Sequence, residues 1–183
     1  MPNTTILIAQ QEEWNRVAGE LEAENIKLAY YDNTLIPLLG DVTDKKILDY
    51  GAGPGLLAFA LQKLGADVKV YDINPDMIEK AGEKIGKENI LPLVESLPKN
   101  FFDFVICNLV LCIVNEDEVK RIVGDIQDVL ADSGSAFVGF CNPRIFNVEE
   151  SNIDKRFPTG AVYEDNHEYK KVKKEGDYEI IEL

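Results

Sequence analysis

The stretch Ile47-Leu48-Asp49-Tyr50-Gly51-Ala52-Gly53-Pro54-Gly55, ILDYGAGPG, sets three glycines and a proline directly behind an apolar run. Lys46 to Tyr50 reads as a short buried strand, and Leu56 to Leu64 as a helix that Gly65 can end. The glycines therefore stand where a strand hands over to a helix. Glycine is entropically costly in such a place unless the backbone must turn sharply or let something approach closely. The next apolar segment, Val68 to Tyr71, finishes at Asp72, a carboxylate twenty-one residues after Gly51.

Outward from this turn the pattern alternates. Asn74-Pro75-Asp76 offers an N-cap, a proline at the first helical position and an early acid, and the helix it opens runs through Ile78, Ala81 and Ile85 to Gly86. Asn89 to Val94 and Phe102 to Cys107 read as two further strands. Asn115 with Glu118 makes a capping box ahead of a helical stripe through Val119, Ile122, Val123, Ile126, Val129 and Leu130. Asp132-Ser133-Gly134 stops that helix, and Ser135 to Cys141 is a fifth strand. Upstream, Trp14, Val17, Ala18 and Leu21 predict an amphipathic helix over about residues 10 to 24. A second helical piece, Leu28 to Leu39, is interrupted by Pro37 and closed by Gly40. Strands alternating with helices predict one α/β domain, a mostly parallel sheet with right-handed crossovers and helices on both faces.

Composition narrows the partners. The chain has 183 residues and a formal charge of −14, which disfavours a large nucleic-acid footprint, since phosphate neutralisation needs Lys and Arg. No run is apolar enough to span a membrane and no secretory signal opens the chain. Cys107, Cys112 and Cys141 are odd in number and lie in apolar segments, which suits buried thiols and a cytoplasmic setting. No Cys/His spacing suggests a metal, and the single histidine, His167, makes a Ser-His-Asp site implausible. Nothing in the pattern fixes an oligomeric state.

In open α/β sheets ligands bind beyond the carboxyl ends of the strands, which places the glycine turn at a cofactor site with Asp72 able to accept hydrogen bonds from ribose hydroxyls. Two cofactors fit, a dinucleotide and S-adenosylmethionine. The dinucleotide fingerprint G-x-G-x-x-G is not met, because Leu56 stands where the third glycine belongs. Asp49, just ahead of the glycines, is unfavourable beside a pyrophosphate and suits an ammonium. Both details favour the sulfonium cofactor.

The ordered set ILDYGAGPG, VYDINPDMIEKA, VESLP, FFDFVICNLVLCIV and GSAFVGF, over roughly residues 44 to 141, resembles the class I S-adenosylmethionine-dependent methyltransferases of the type 11 or ubiquinone-biosynthesis-like kind. That resemblance implies a Rossmann-like doubly wound sheet. It divides the single domain into an N-terminal helical lid (1–43), a cofactor-binding core (44–141) and an irregular C-terminal segment (142–183). It implies that Asp49, Gly51, Ala52 and Gly53 line the methionyl end and that Asp72 holds the ribose. Ile73 and Met77 would border the adenine, Glu95 and Ser96 read its edge, and Asn108 and Leu109 lie under the methionyl group. The product would be S-adenosylhomocysteine. Asp72 as a mere cap of the turn before Asn74, Asp49 as a satisfier of loop amides, and Met77 as core stand as the plainer alternatives.

The family's last two strands usually form an antiparallel edge. After Cys141 the pattern is too sparse for a full last helix and hairpin, with Tyr178 to Leu183 as one candidate strand, so the chain is either truncated or trimmed there. Trp14, Tyr30 and Tyr31 fall where such enzymes close a lid, and Tyr30 or Tyr31 are the candidate bases. The Asn/Asp-Pro-Pro-aromatic motif of enzymes that methylate exocyclic amines is missing after Asn108, which is followed by Leu109-Val110-Leu111. With the acidic balance, this leaves a small-molecule methyl acceptor as the leading class. Methyl transfer to RNA or protein, and a non-catalytic binding domain of the same fold, are the alternatives.

Overall fold

The computed structural model describes residues 34–140 and the backbone of three short C-terminal strands. The predicted helix over 10 to 24, Tyr30, Tyr31, Cys141 and His167 lie outside the described residues. A single helical turn, α1 (Ile36–Leu39), carries Pro37 in its first turn and ends at Gly40 with φ 70°. Proline fits there because its missing N–H is one that a helix start leaves unbonded anyway, and residues 28–33 of the expected helical piece lie outside the described residues.

Four parallel strands follow, β1 (Lys46–Tyr50), β2 (Asp67–Tyr71), β3 (Phe102–Asn108) and β4 (Leu130–Gly139), in the order β2-β1-β3-β4. Helix α2 (Leu56–Lys63) connects β1 to β2, α3 (Pro75–Ile85) follows β2, and α4 (Glu116–Val129) connects β3 to β4. The chain leaves β1 toward β2 on one side and β3 pairs on the other, so the strand order reverses at β1, whose carboxyl end is the glycine turn.

Side-chain alternation along β1 builds both halves of the core. Ile47 packs with Leu57, Ala58, Leu61, Val68, Val70, Ala81 and Ile85 beneath α2 and α3. Leu48 and Tyr50 pack with Phe102, Val105, Ile122, Ile126 and Val129 beneath α4. Strands buried on both faces read as continuous apolar runs, which is why they are legible in the sequence. Asp49 shares the face of Ile47 and is the exception in that run.

Three expectations are corrected. Asn89 to Val94 is not a strand: two 3₁₀ turns, Lys87–Asn89 and Val94–Ser96, flank one bridge from Ile90 to Val70 on the outer edge of β2. Pro92 cannot donate to a ladder, and Gly86 and the Asn89 side chain favour turns, so pairing stops after one bridge. Asp132-Ser133-Gly134 does not separate the helix from the last strand. Leu130 already pairs with Phe102, and pairing resumes at Ser135 opposite Phe104, so the three residues lie, with Ala131, in a bulge within β4. Gly134 is needed in it, because a Cβ there would stand 2.8 Å from the Phe102 carbonyl oxygen. The C-terminal segment is not limited to one candidate strand. Strands β5 (Ile153–Asp154), β6 (Tyr169–Lys173) and β7 (Tyr178–Glu182) form a separate antiparallel sheet with β6 in the middle.

The Asn115 cap is half the expected box: its side chain accepts from the Glu118 N–H at 3.0 Å, whereas the Glu118 carboxylate pairs with Arg121. Among the described residues no helix is long and apolar enough to cross a membrane.

Candidate functional site

Gly51, Gly53 and Gly55 all take left-handed φ, at 77°, 55° and 76°. Only glycine adopts three such angles in one turn without steric cost. The turn's amides are all committed inside the chain. Gly51 N and Ala52 N donate to the Tyr71 carbonyl at 2.8 and 3.2 Å, Gly55 N donates to the Ala52 carbonyl at 3.1 Å, and Gly53 N donates to Asp72 Oδ2 at 2.7 Å. Pro54 has no N–H. A phosphate-binding loop works by presenting free N–H groups to its anion. This turn presents none.

It presents carboxylates. Asp72 stands at the end of β2, mostly buried, with Oδ2 on Gly53 N and Oδ1 accepting from Asn74 N at 2.9 Å. Burial raises its pKa above the ordinary carboxylate value, and the amides it receives hold it back. The plainer role, capping the turn at Asn74, is therefore realised, and the same carboxylate also reaches across to the glycine turn.

Asp49 is only 3% exposed. Helix α2 begins at Gly55, which has no side chain to cap it, and the Ala58 amide in its first turn acts to lower the Asp49 pKa. Its Oδ2 has no partner. Burial, then the neighbouring Asp72 charge, push Asp49 up to about 7 against the pull of the Ala58 amide. Among the described residues, the buried side-chain polar atoms without a partner are Asp49 Oδ2 and Asn74 Nδ2. Asp49 is the last residue but one of β1, and Asn74 follows the end of β2. Native interiors pair such atoms, so two orphans beside one turn mark a place where a ligand belongs.

The other residues singled out by the sequence lie in the segments that follow β2 and β3. Ile73, directly after Asp72, is 66% exposed. Met77 is buried in the first turn of α3, where its N–H reaches the Asn74 side chain at 3.3 Å, so it sits as core. Glu95 and Ser96 occupy an exposed 3₁₀ turn, and the Ser96 hydroxyl donates to the Leu93 carbonyl. Asn108 ends β3 with its side chain against the α-carbon of Gly139. Leu109 has φ 60°, a strained value for a branched residue, and is 44% exposed.

Two contributors escape sequence reasoning. Val110 lies on Gly51, where a Cβ would collide with Val110 Cγ2, so the loop after β3 closes over the turn. Tyr50, inside an apolar run, donates its hydroxyl to Asp125 Oδ2 at 2.9 Å, and Arg121 holds the same oxygen at 2.8 Å. A tyrosine in a run of aliphatic residues is the available signal that a buried hydroxyl needs a partner.

Residues 48–138, which contain the turn, both carboxylates and the loop after β3, match the family model described as a methyltransferase domain. The chain belongs to the class I S-adenosylmethionine-dependent methyltransferase family. It is 28% identical over 144 residues to a demethylmenaquinone methyltransferase of Tropheryma whipplei, covering 73% of this chain and 59% of that protein. It is 26% identical to the probable S-adenosyl-L-methionine-dependent methyltransferase TehB of Haemophilus influenzae, covering 69% of this chain and 52% of that one. The chain thus spans little more than half the length of these curated relatives. Among solved structures, the DhpI–SAM–HEP complex superposes with a TM-score of 0.67 at 18% identity, covering all of this chain and 84% of that one, a likeness of fold.

Proposed function

We propose that the protein transfers the methyl group of S-adenosylmethionine to a small-molecule acceptor. The observation that carries this reading is the amide-saturated glycine turn flanked by the buried Asp49 and the partly buried Asp72. Such a turn repels a pyrophosphate and suits a ligand whose end is cationic. The unpartnered Asp49 Oδ2, and the open space above Gly53, where a Cβ would meet nothing within 4 Å, fit that ligand.

In this reading Asp49 faces the methionyl end, with the backbone of Gly51, Ala52 and Gly53 forming its floor. Asp72 still has lone pairs on both oxygens to accept from ribose hydroxyls. The exposed Ile73 covers one face of the adenine, Met77 backs it from the core, and Glu95 with Ser96 lies at its edge. Asn108 and Leu109 lie under the methionyl group, where the left-handed Leu109 turns the chain over the site. S-adenosylmethionine supplies a methyl group already activated on its sulfonium. What the chain contributes is alignment and the exclusion of water, and positioning of this kind can be worth ~7–11 kcal/mol. The acidic balance of the chain and its similarity to a demethylmenaquinone methyltransferase favour a small-molecule acceptor.

Calorimetric titration with S-adenosylmethionine and, separately, NAD tests the reading. Binding of the sulfonium cofactor alone, weakened at least tenfold (~1.4 kcal/mol) by Asp72→Ala, supports it. Binding of NAD, or of neither, refutes it.

A further inference from the structure

We propose that Asp49 holds a proton in the free protein and surrenders it when the cationic end of the cofactor binds, so that cofactor binding expels one proton to solvent. This rests on the reading of the site given above and adds a property of Asp49 itself.

On its own strand Asp49 lies between the apolar Leu48 and Tyr50, and its pairing partners across the sheet are Val70 on β2 and Ile106 on β3. From the end of β2 it faces the Asp72 carboxylate. On β3 the Cys107 thiol, packed on the opposite face of the sheet, is pushed up to about 12 by burial and then by the Asp49 charge, so that thiol stays neutral. From α2 the Ala58 amide acts to favour the charged form of Asp49. Among the described residues, no Lys, Arg or His is among the groups that act on it. A carboxylate 3% exposed, with one oxygen unpartnered and a second carboxylate beside it, has one amide to stabilise its charge. Two carboxylates sharing a buried site do not both ionise readily. Burial and the Asp72 charge hold its carboxyl up to about 7. A cationic ligand placed against Oδ2 supplies the missing counter-charge and reverses the balance. The proton leaves to solvent and the ion pair takes its place.

The consequence is a pH-dependent affinity. Below about pH 7 each unit of acidification weakens cofactor binding by up to tenfold, and above it the affinity levels off.

The test is titration of S-adenosylmethionine into the full chain at about pH 6 in two buffers of different ionisation enthalpy, phosphate and imidazole. The dependence of the observed heat on buffer enthalpy should report close to one proton released, falling toward zero at about pH 8. Binding with a buffer-independent heat at the lower pH overturns this proposal and leaves the cofactor assignment standing. No binding at either pH overturns the assignment and the proposal with it. Because Asp49→Asn removes a ligand contact as well as the proton, a second measurement needs no ligand. In free protein labelled with ¹³C at aspartate carboxyls, the resonance lost in Asp49→Asn should titrate near neutrality. Titration near the ordinary value of ~4 overturns the proposal.

Discussion

Replacing Asp49 by asparagine keeps the shape of the side chain and removes its ionisation, so the variant isolates the cost of burying that charge. In the wild type the folded chain keeps the Asp49 proton up to about pH 7, whereas the unfolded chain releases it near its ordinary value of 3.8. Between these values the unfolded state binds fewer protons than the folded one, so this group's contribution to stability falls as pH rises. The fall is ~1.4 kcal/mol per unit until the folded value is passed, after which it is flat. Between about pH 5 and about pH 8.5 the wild type therefore loses ~3 kcal/mol that the asparagine variant keeps. The asparagine amide has its own cost, about 1–3 kcal/mol if one N–H stays unpaired, but this is the same at both pH values and cancels in the difference. Urea unfolding of both proteins at the two pH values gives the four free energies needed. The gap between variant and wild type should open in favour of the variant by about 3 kcal/mol on going to the higher pH. A gap that does not change with pH would refute the claim that Asp49 is buried without a counter-charge.

Other perturbations probe the frame around that carboxylate. Gly51→Ala should lose about 2–5 kcal/mol in denaturant unfolding, because the new methyl meets Val110 Cγ2 and φ 77° is costly for alanine. Adding Val110→Ala should recover the packing part and leave the ~1–2 kcal/mol of backbone strain. Tyr50→Phe should cost about 1–2 kcal/mol by the same assay, since Asp125 keeps Arg121 but loses a buried donor. Asn74→Ala removes the acceptor of the Asp76 and Met77 amides at the start of α3 and should cost about 1 kcal/mol, read as a lowered Tm.

Much of this arrangement is legible in the chain, and what is legible follows a physical rule. β1, β2 and β3 are buried on both faces, so their runs of aliphatic residues stand out between glycines and caps. Asn74 and Asn115 cap the helices they were expected to cap, because an Asn ahead of an apolar periodic run has few other uses. Asn89 to Val94 misleads because Ile90, Leu91, Leu93 and Val94 have a strand's composition. Periodicity cannot show that the Pro92 turn limits pairing to Ile90 alone. At the site, the sequence signals that Asp49 and Asp72 belong beside the glycines. It does not signal that every turn amide is already spoken for. That fact depends on Tyr71 and Asp72 reaching back across from β2, which is a matter of register.

That register decides between the two cofactors that the glycine pattern leaves open. A strand-turn-helix with three glycines offers an anion site by default, since the turn's N–H groups and the helix start point the same way. Here Tyr71 supplies one carbonyl to two of those amides and Asp72 one oxygen to a third. Asp49 fills the uncapped first turn of α2. Each of these contacts replaces a positive edge with a satisfied or negative one. The turn keeps its shape and reverses its preference of charge. Moving Asp72 away from Gly53 frees one N–H but leaves Asp49 buried beside it, so even Asp72→Ala should gain no affinity for NAD in the calorimetric comparison. If it did gain such affinity, Asp72 alone would set the charge preference, and the role given to Asp49 would fall.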